Sequence, residues 1–252
     1  KAYTLHYLGI AFYEYSGLTL KQACEVTGVQ LDYALKELDL PADDLHPDDF
    51  LLISSAPEAI IGCLRRAHQI FVNQRLPYIE KLIVNFKCQD SGYDAMINDL
   101  RILFPLFIQD FTGHIQMEEL RLFNYILSLC LGSKGKINIA ELFFMMDKES
   151  IHNFVVEHDS HDDEMTGIRK LTAGYKTESD TPLHISVLFD ELLNLEKDLQ
   201  KHSSIENEIL FPKGNATCKK DSPLPGAFAT LPNFSPTCTL LPTLTSIEDK
   251  LQ

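Results

Sequence analysis

Apolar residues recur at three- and four-residue steps along most of this chain, the spacing of helices that bury one face. Between Glu58 and Phe86 the repeat runs through Ile60, Ile61, Leu64, Ala67, His68, Phe71, Ile79 and Leu82. It predicts a first long helix, kinked or broken at Pro77. A second is predicted from Tyr93 to Leu129, bent near Pro105 and ended by Gly132-Ser-Lys-Gly135. A third is predicted from Lys148 to Ala173, after a connector that holds a short apolar helix at Ala140 to Met146. Gly174 and Thr181-Pro182 break the chain before a fourth, Leu183 to Phe211, which stops at Phe211-Pro212. Four long helices with one longer connector make an up-down four-helix bundle the expected fold, and the class all-α.

The flanks of this pattern differ from it. Residues 1–40 read as a small helical N-terminal domain with a helix over Leu5 to Tyr15. Thr19 is placed to cap a helix from Leu20 to Thr27, Gly28 to stop it, and Leu31 to Leu38 to form another. So small a unit is expected to lean on the rest of the chain. Residues 41–57 hold Pro41, Pro47 and Pro57 and read as a linker with one apolar clamp, Phe50 to Ile53. Residues 58–213 are then the bundle. Residues 214–252 carry five of the twelve prolines, many Ser and Thr and no helical period, which predicts a disordered tail.

Composition narrows the partners. At 252 residues, 45% hydrophobic and 23% charged, the chain has the make-up of a soluble globular protein. A net charge of −14 argues against nucleic acid and against an anionic membrane surface. No apolar run approaches the roughly 20 residues of a membrane span. The chain begins at Lys1, so the lack of a signal peptide carries little weight. The six cysteines (Cys24, Cys63, Cys88, Cys130, Cys218, Cys238) show no C-x2-C and no close pair. A zinc ribbon and a disulfide framework are excluded, and a reducing, cytoplasmic setting is the simplest reading.

The candidate chemistry lies in a phrase written twice, His114-x3-Glu118-x3-Leu122-Phe123 and His202-x3-Glu206-x3-Leu210-Phe211. Four residues turn a helix by about 400° and lift it about 6 Å, so each His stands over its Glu on one face. One such pair is more often structural than functional; two, each followed by the same apolar pair, reverse those odds. Helix one adds His68, on or beside the apolar stripe, and helix three adds His158 or His161 within Glu157-His158-Asp159-Ser-His161-Asp162-Asp163-Glu164. Imidazoles and carboxylates meeting inside a bundle are the ligand types of a carboxylate-bridged di-iron site. By ligand type alone, zinc and manganese stay open, while the zinc-protease pattern H-E-x-x-H is absent. Glu119 and Glu208 read as surface or outer groups. His46 precedes a proline in the linker, and His6 and His152 have no partner pattern. His184 lies five helical turns before His202, about 27 Å away, too far to share the site.

Taken together, Glu157-His158-Asp159, Ile168-Arg169-Lys170-Leu171-Thr172, His114-x3-Glu118-Glu119 and His202-x3-Glu206-Asn207-Glu-Ile-Leu-Phe211-Pro212 resemble the hemerythrin-like iron–sulfur cluster repair (repair of iron centres) family. Leu76-Pro77 after His68 is similar to that family's first helix, and Phe12-Tyr-Glu-Tyr with Thr19-Leu-Lys-Gln-Ala-Cys24 to its small leading domain. The resemblance covers about residues 10–213. It implies a non-haem centre of two iron ions, oxo- and carboxylate-bridged, held by His68, His114, Glu118, His158, His202 and Glu206, with His161 the runner-up to His158. It further implies a stress-response role in repairing iron–sulfur clusters damaged by nitrosative or oxidative stress, by donating iron or by processing nitric oxide. Iron–sulfur proteins would be the clients, nitric oxide and oxygen the small partners, and a homodimer is among the assemblies allowed. The alternative is a hemerythrin-type sensor or carrier of oxygen or nitric oxide. Oxygen carriers use an H-x3-H pair, which this chain lacks. Two departures are clear. Gln69 stands where relatives often carry a second histidine, and Cys24 stands alone where many carry adjacent cysteines.

Overall fold

A computed structural model describes residues 1–15, 17–40, 45, 48–87, 92–137 and 165–214, and every regular element among them is helical. They fall within a single unit, Lys1–Lys220. No helix among the described residues is long and apolar enough to cross a membrane. The N-terminal elements are α1 (Ala2–Tyr7), α2 (Leu20–Thr27) and α3 (Leu31–Asp39). The Leu5 to Tyr15 helix expected from the sequence does not form. Gly9 takes φ +83 and the Ile10 N–H turns back to the Leu5 carbonyl at 2.8 Å, which ends α1 early. Thr19 does cap α2, in a reciprocal box with Gln22, and Gly28 closes it at φ +76. Ile10, Ala23, Cys24 and Ala34 form a small core of their own.

Where a clamp was expected in the linker, Asp49–Ser54 forms a short helix, α4, started by the Asp48 side chain. Leu52 alone of its apolar residues is buried; Phe50, Leu51 and Ile53 are exposed. Three long rods follow. The first is α5 (Pro57–Ile70), a π turn π1 (Phe71–Arg75) and α6 (Leu76–Val84). The second is α7 (Asp94–Met117), π2 (Glu118–Leu122) and α8 (Phe123–Ser133). Then come α9 (Thr166–Leu171) and the last rod, α10 (Leu183–Ser204) with π3 (Ile205–Leu210). The last rod stays helical over residues 211–214, so it does not stop at Phe211-Pro212. Likewise α7 passes through Pro105, and the irregular stretch falls at π2. The predicted break at Pro77 does not occur: the rod runs on through it, and the change of register falls just before, in π1, with Pro77 in the first turn of α6. The predicted connector from residue 138 on and most of helix three, together with the tail from residue 215, lie outside the described residues.

Each rod crosses from one apolar core into another. Ala67, Phe71, Ile79 and Leu82 join Phe104, Phe111, Ile115, Leu188 and Leu195 in the larger core. Leu52, Ile61 and Leu64 join Leu122, Phe123, Ile126, Ile205 and Leu210 in the smaller. The first rod meets the small core and then the large one, while the other two meet them in the reverse order. The first rod therefore runs against the second and the last. Each buried Leu, Ile or Phe stabilises the fold by about 1.5–3 kcal/mol, so these two cores hold most of its stability.

The N-terminal segment docks on the larger core through aromatic rings. Tyr3 lies edge-on to Tyr78 at 5.2 Å and its hydroxyl donates to Gln74 Oε1 at 2.9 Å. Tyr13 stacks on His184 at 5.0 Å, while Phe12 and Phe86 present edges to the same ring. His184 Nε2 lies 2.7 Å from the Leu82 carbonyl, so it carries the hydrogen and donates. Burial holds this imidazole below its ordinary pKa, against a smaller opposing effect of the Leu82 carbonyl.

Two outcomes follow for stability. Phe104→Ala removes a ring that is fully buried and costs about 3–5 kcal/mol, while Ile102→Ala on the exposed face of α7 costs under about 0.5 kcal/mol. Urea unfolding of the two variants measures the contrast. For His184 the folded pKa is depressed, so its contribution is complete above the ordinary histidine value and is lost as pH falls through the lowered one. Unfolding curves from neutral to mildly acidic pH should show stability falling, with a shallower fall in His184→Gln.

Candidate metal centre

Between the two apolar cores lies a layer of ionisable side chains. His68 lies in the last turn of α5, Glu118 opens π2, His202 lies in the last turn of α10 and Glu206 is the second residue of π3. Their exposures are 1%, 4%, 5% and 0%. Each residue offers one ligand atom to a common point, and these atoms lie within 4.8 Å of one another. His68 Nε2 is 2.9 Å from His202 Nε2 and 3.2 Å from Glu118 Oε2. His202 Nε2 is 3.5 Å from Glu206 Oε1. Donor atoms held about 2.0–2.2 Å from one first-row ion stand about 3–4 Å apart, and the three separations above fall in or next to that range. The group can hold a metal.

Of the six residues predicted from sequence, these four are brought together. His114 joins them through Glu118, its Nε2 lying 2.8 Å from Glu118 Oε1 as the four-residue spacing requires. Glu118 thus faces His114 with one oxygen and His68 with the other. His158 and its runner-up His161 lie outside the described residues, as do His46 and His152. His184 is occupied in the aromatic clamp, and His6 packs against Tyr78 at 4.8 Å.

The rings are fixed by packing. His68 stacks on Phe123 at 5.6 Å and 7°, and Phe71 presents its edge to His202 at 5.7 Å. Burial pushes the His68 pKa down, but the carboxylates of Glu118, Glu206 and Glu119 outweigh it and hold the imidazole above its ordinary value. In each rod the α-helix gives way to a π turn within three residues of a ligand. π turns gather at functional sites because one added residue re-phases the helix beyond them. Here the step is visible as a five-residue spacing of buried side chains: Phe71 to Leu76, Glu118 to Phe123 and Glu206 to Phe211.

A pocket of about 330 Å³ reaches the centre on the side of His114, His202 and Glu206. Its wall was not foreseen from the sequence. Arg169 from α9 donates through Nε to Glu196 Oε1 at 2.7 Å, and the Tyr175 hydroxyl donates to Glu196 Oε2 at 2.6 Å. Tyr175 is brought there by a left-handed turn in which Ala173, Gly174 and Tyr175 have φ of +52, +75 and +60. The two non-glycine residues pay of order 1 kcal/mol each for that backbone. The sequence did carry a sign of this wall. Glu196, Gln200, Ser203 and Asn207 repeat at helical spacing along α10 and the π turn after it, a polar stripe that lines the pocket.

No model of a known protein family matches the sequence.

Four ionisable groups buried between two apolar cores cost stability by desolvation even when they pair with one another. The double variant Glu118→Leu/Glu206→Leu should therefore raise the stability of the metal-free protein by about 1–2 kcal/mol while abolishing metal uptake. Urea unfolding of chelator-treated protein, beside a zinc-binding titration, makes the comparison. A loss of stability would mean that the carboxylates serve the fold.

Proposed function

We propose that this protein holds two iron ions at the centre of a four-helix bundle and serves the recovery of iron–sulfur clusters damaged by nitrosative or oxidative stress. In this reading His68, His114, Glu118, His158, His202 and Glu206 would hold the irons. The observation that carries it is the buried group His68, Glu118, His202 and Glu206, whose ligand atoms converge within 4.8 Å. Its chemistry favours iron over magnesium or calcium, because two imidazoles sit beside two carboxylates. The twice-written H-x3-E phrase and the resemblance of residues 10–213 to the iron–sulfur cluster repair family supply the physiological role.

Iron held there would supply the redox and ligand-binding chemistry toward nitric oxide or oxygen, or metal for a damaged cluster. The chain's own residues do the rest. Phe71 and Phe123 keep bulk water from the rings of His202 and His68. Phe111 lines the pocket and stacks on His114 at 6.4 Å, an apolar face within a wall of otherwise mostly polar residues. The free thiols Cys24, Cys63 and Cys130 accord with a reducing compartment, the cytoplasm in this reading. Cys24 and Cys130 are buried, so thiol chemistry at those two is not part of the proposal. Oxygen carriage is the weaker reading, since the chain has no H-x3-H pair.

Protein purified from iron-supplied cells should contain about two irons per chain, and the Glu118→Ala/Glu206→Ala variant none. The purified iron-loaded protein should also restore a [4Fe–4S] hydro-lyase inactivated by nitric oxide, and the variant should not. Equal recovery with both proteins would remove the repair role and leave a metal-binding bundle.

A further inference from the structure

We infer that Glu119 is a positioning residue for the metal centre, setting the orientation and tautomer of His68 and so the atom that His68 presents to the metal. The inference rests on the metal-binding reading above. His68 Nδ1 lies 2.9 Å from Glu119 Oε1, while His68 Nε2 faces Glu118 Oε2 and His202 Nε2. An ionised carboxylate only accepts, so Nδ1–H donates and the lone pair is left on Nε2, the nitrogen aimed into the centre. Adjacent residues of a helix diverge by about 100°, so Glu118 and Glu119 do not share a face. Here they straddle one imidazole and take its two nitrogens from two sides. The ring lies flat against Phe123, so it has no second orientation that keeps both contacts.

The repeated phrase isolates what Glu119 adds. The first copy reads His-x3-Glu-Glu and the second His-x3-Glu-Asn, which puts Asn207 where Glu119 stands. Asn207 is neutral, and its amide donates to Ser203 Oγ at 3.2 Å on its own rod. Glu119 instead reaches a different rod and meets a ring that is 1% exposed. The two ends of the centre are thus backed differently, with a charge behind His68. A carboxylate behind a ligating imidazole makes it a better donor and holds its ring in place. Glu119 is itself 29% exposed on its side chain, so it can be exchanged without opening a cavity in either core.

The test uses the full chain and zinc, a diamagnetic ion that takes the same ligand types. Zinc affinity is measured against a chromophoric chelator for the unaltered chain, Glu119→Ala, Glu119→Gln and a control, Asp99→Ala, on the exposed face of α7. Glu119→Ala should weaken zinc binding by about 10–100-fold, Glu119→Gln should recover part of it because its amide oxygen still accepts, and the control should match the unaltered chain. In histidine-labelled, zinc-loaded protein, the His68 Nδ1–H should give a slowly exchanging signal that is lost in Glu119→Ala and kept in Glu119→Gln. A Glu119→Ala chain with unaltered zinc affinity, or with its His68 signal intact, overturns the inference and leaves Glu119 a simple tie between rods. If Glu119→Ala does not fold, the glutamine variant decides: an intact His68 signal supports the inference and a lost one overturns it. Failure of the unaltered chain to take up zinc would remove the metal centre and this inference with it, a result distinct from the others.

Discussion

Burying ionisable groups is costly for a protein core even when they are paired with one another, and this chain does it at the level where its two apolar cores meet. His68, Glu118, His202 and Glu206 are all under a tenth exposed and come from three separate rods. Leucine at the same four places would join the cores above and below into one. Each of the three rods changes register at that level through a π turn. The layer could hold an ion, whose divalent charge would offset the carboxylates and take the imidazole lone pairs. The rest of the structure is arranged around this layer. Phe71, Phe111 and Phe123 pack against its histidines, and the Arg169–Glu196–Tyr175 network stiffens the pocket beside it.

Much of this was legible in the residues. The period of Ile60, Ile61, Leu64, Ala67 and Phe71 gave away a helix with one buried face, and all five are fully buried. His114 and Glu118, four apart, do meet, as helix geometry alone requires. Thr19 and Gly28 marked the ends of α2, and the structure adds Gln22 as the partner in the cap. What failed to show was anything set by tertiary contact. Leu5 to Tyr15 is apolar enough for one helix, yet Gly9 takes a left-handed turn and hands Phe12 and Tyr13 to the larger core. Glu119 is polar and next to a ligand, and only the approach of the first rod makes it a partner of His68.

The π turns fall between these cases. Reading the repeated phrase as H-x3-E followed by Leu-Phe draws attention to the α-helical pair and hides the other spacing it contains. Glu118 to Phe123 and Glu206 to Phe211 are both five apart, and all four side chains are buried. Five residues between neighbours on one face is the step of a π turn, not of an α-helix. The clue was in the sequence, but it becomes readable only once both ends of each spacing are known to face inward. The arrangement also explains why the ligands fall where α-helix ends and π begins. The α segment sets each His over its Glu, and the π step then returns the next apolar residue to the core.

The central claim is that the buried layer exists to hold metal. Anomalous diffraction at the iron absorption edge, from crystals of protein produced with iron, tests it directly because it locates the metal without assuming its ligands. The account predicts strong anomalous density enclosed by His68, Glu118, His202 and Glu206, within bonding distance of their ligand atoms. A blank map there from iron-supplied protein, or density only at surface carboxylates, would contradict it and leave a polar layer that serves the fold alone.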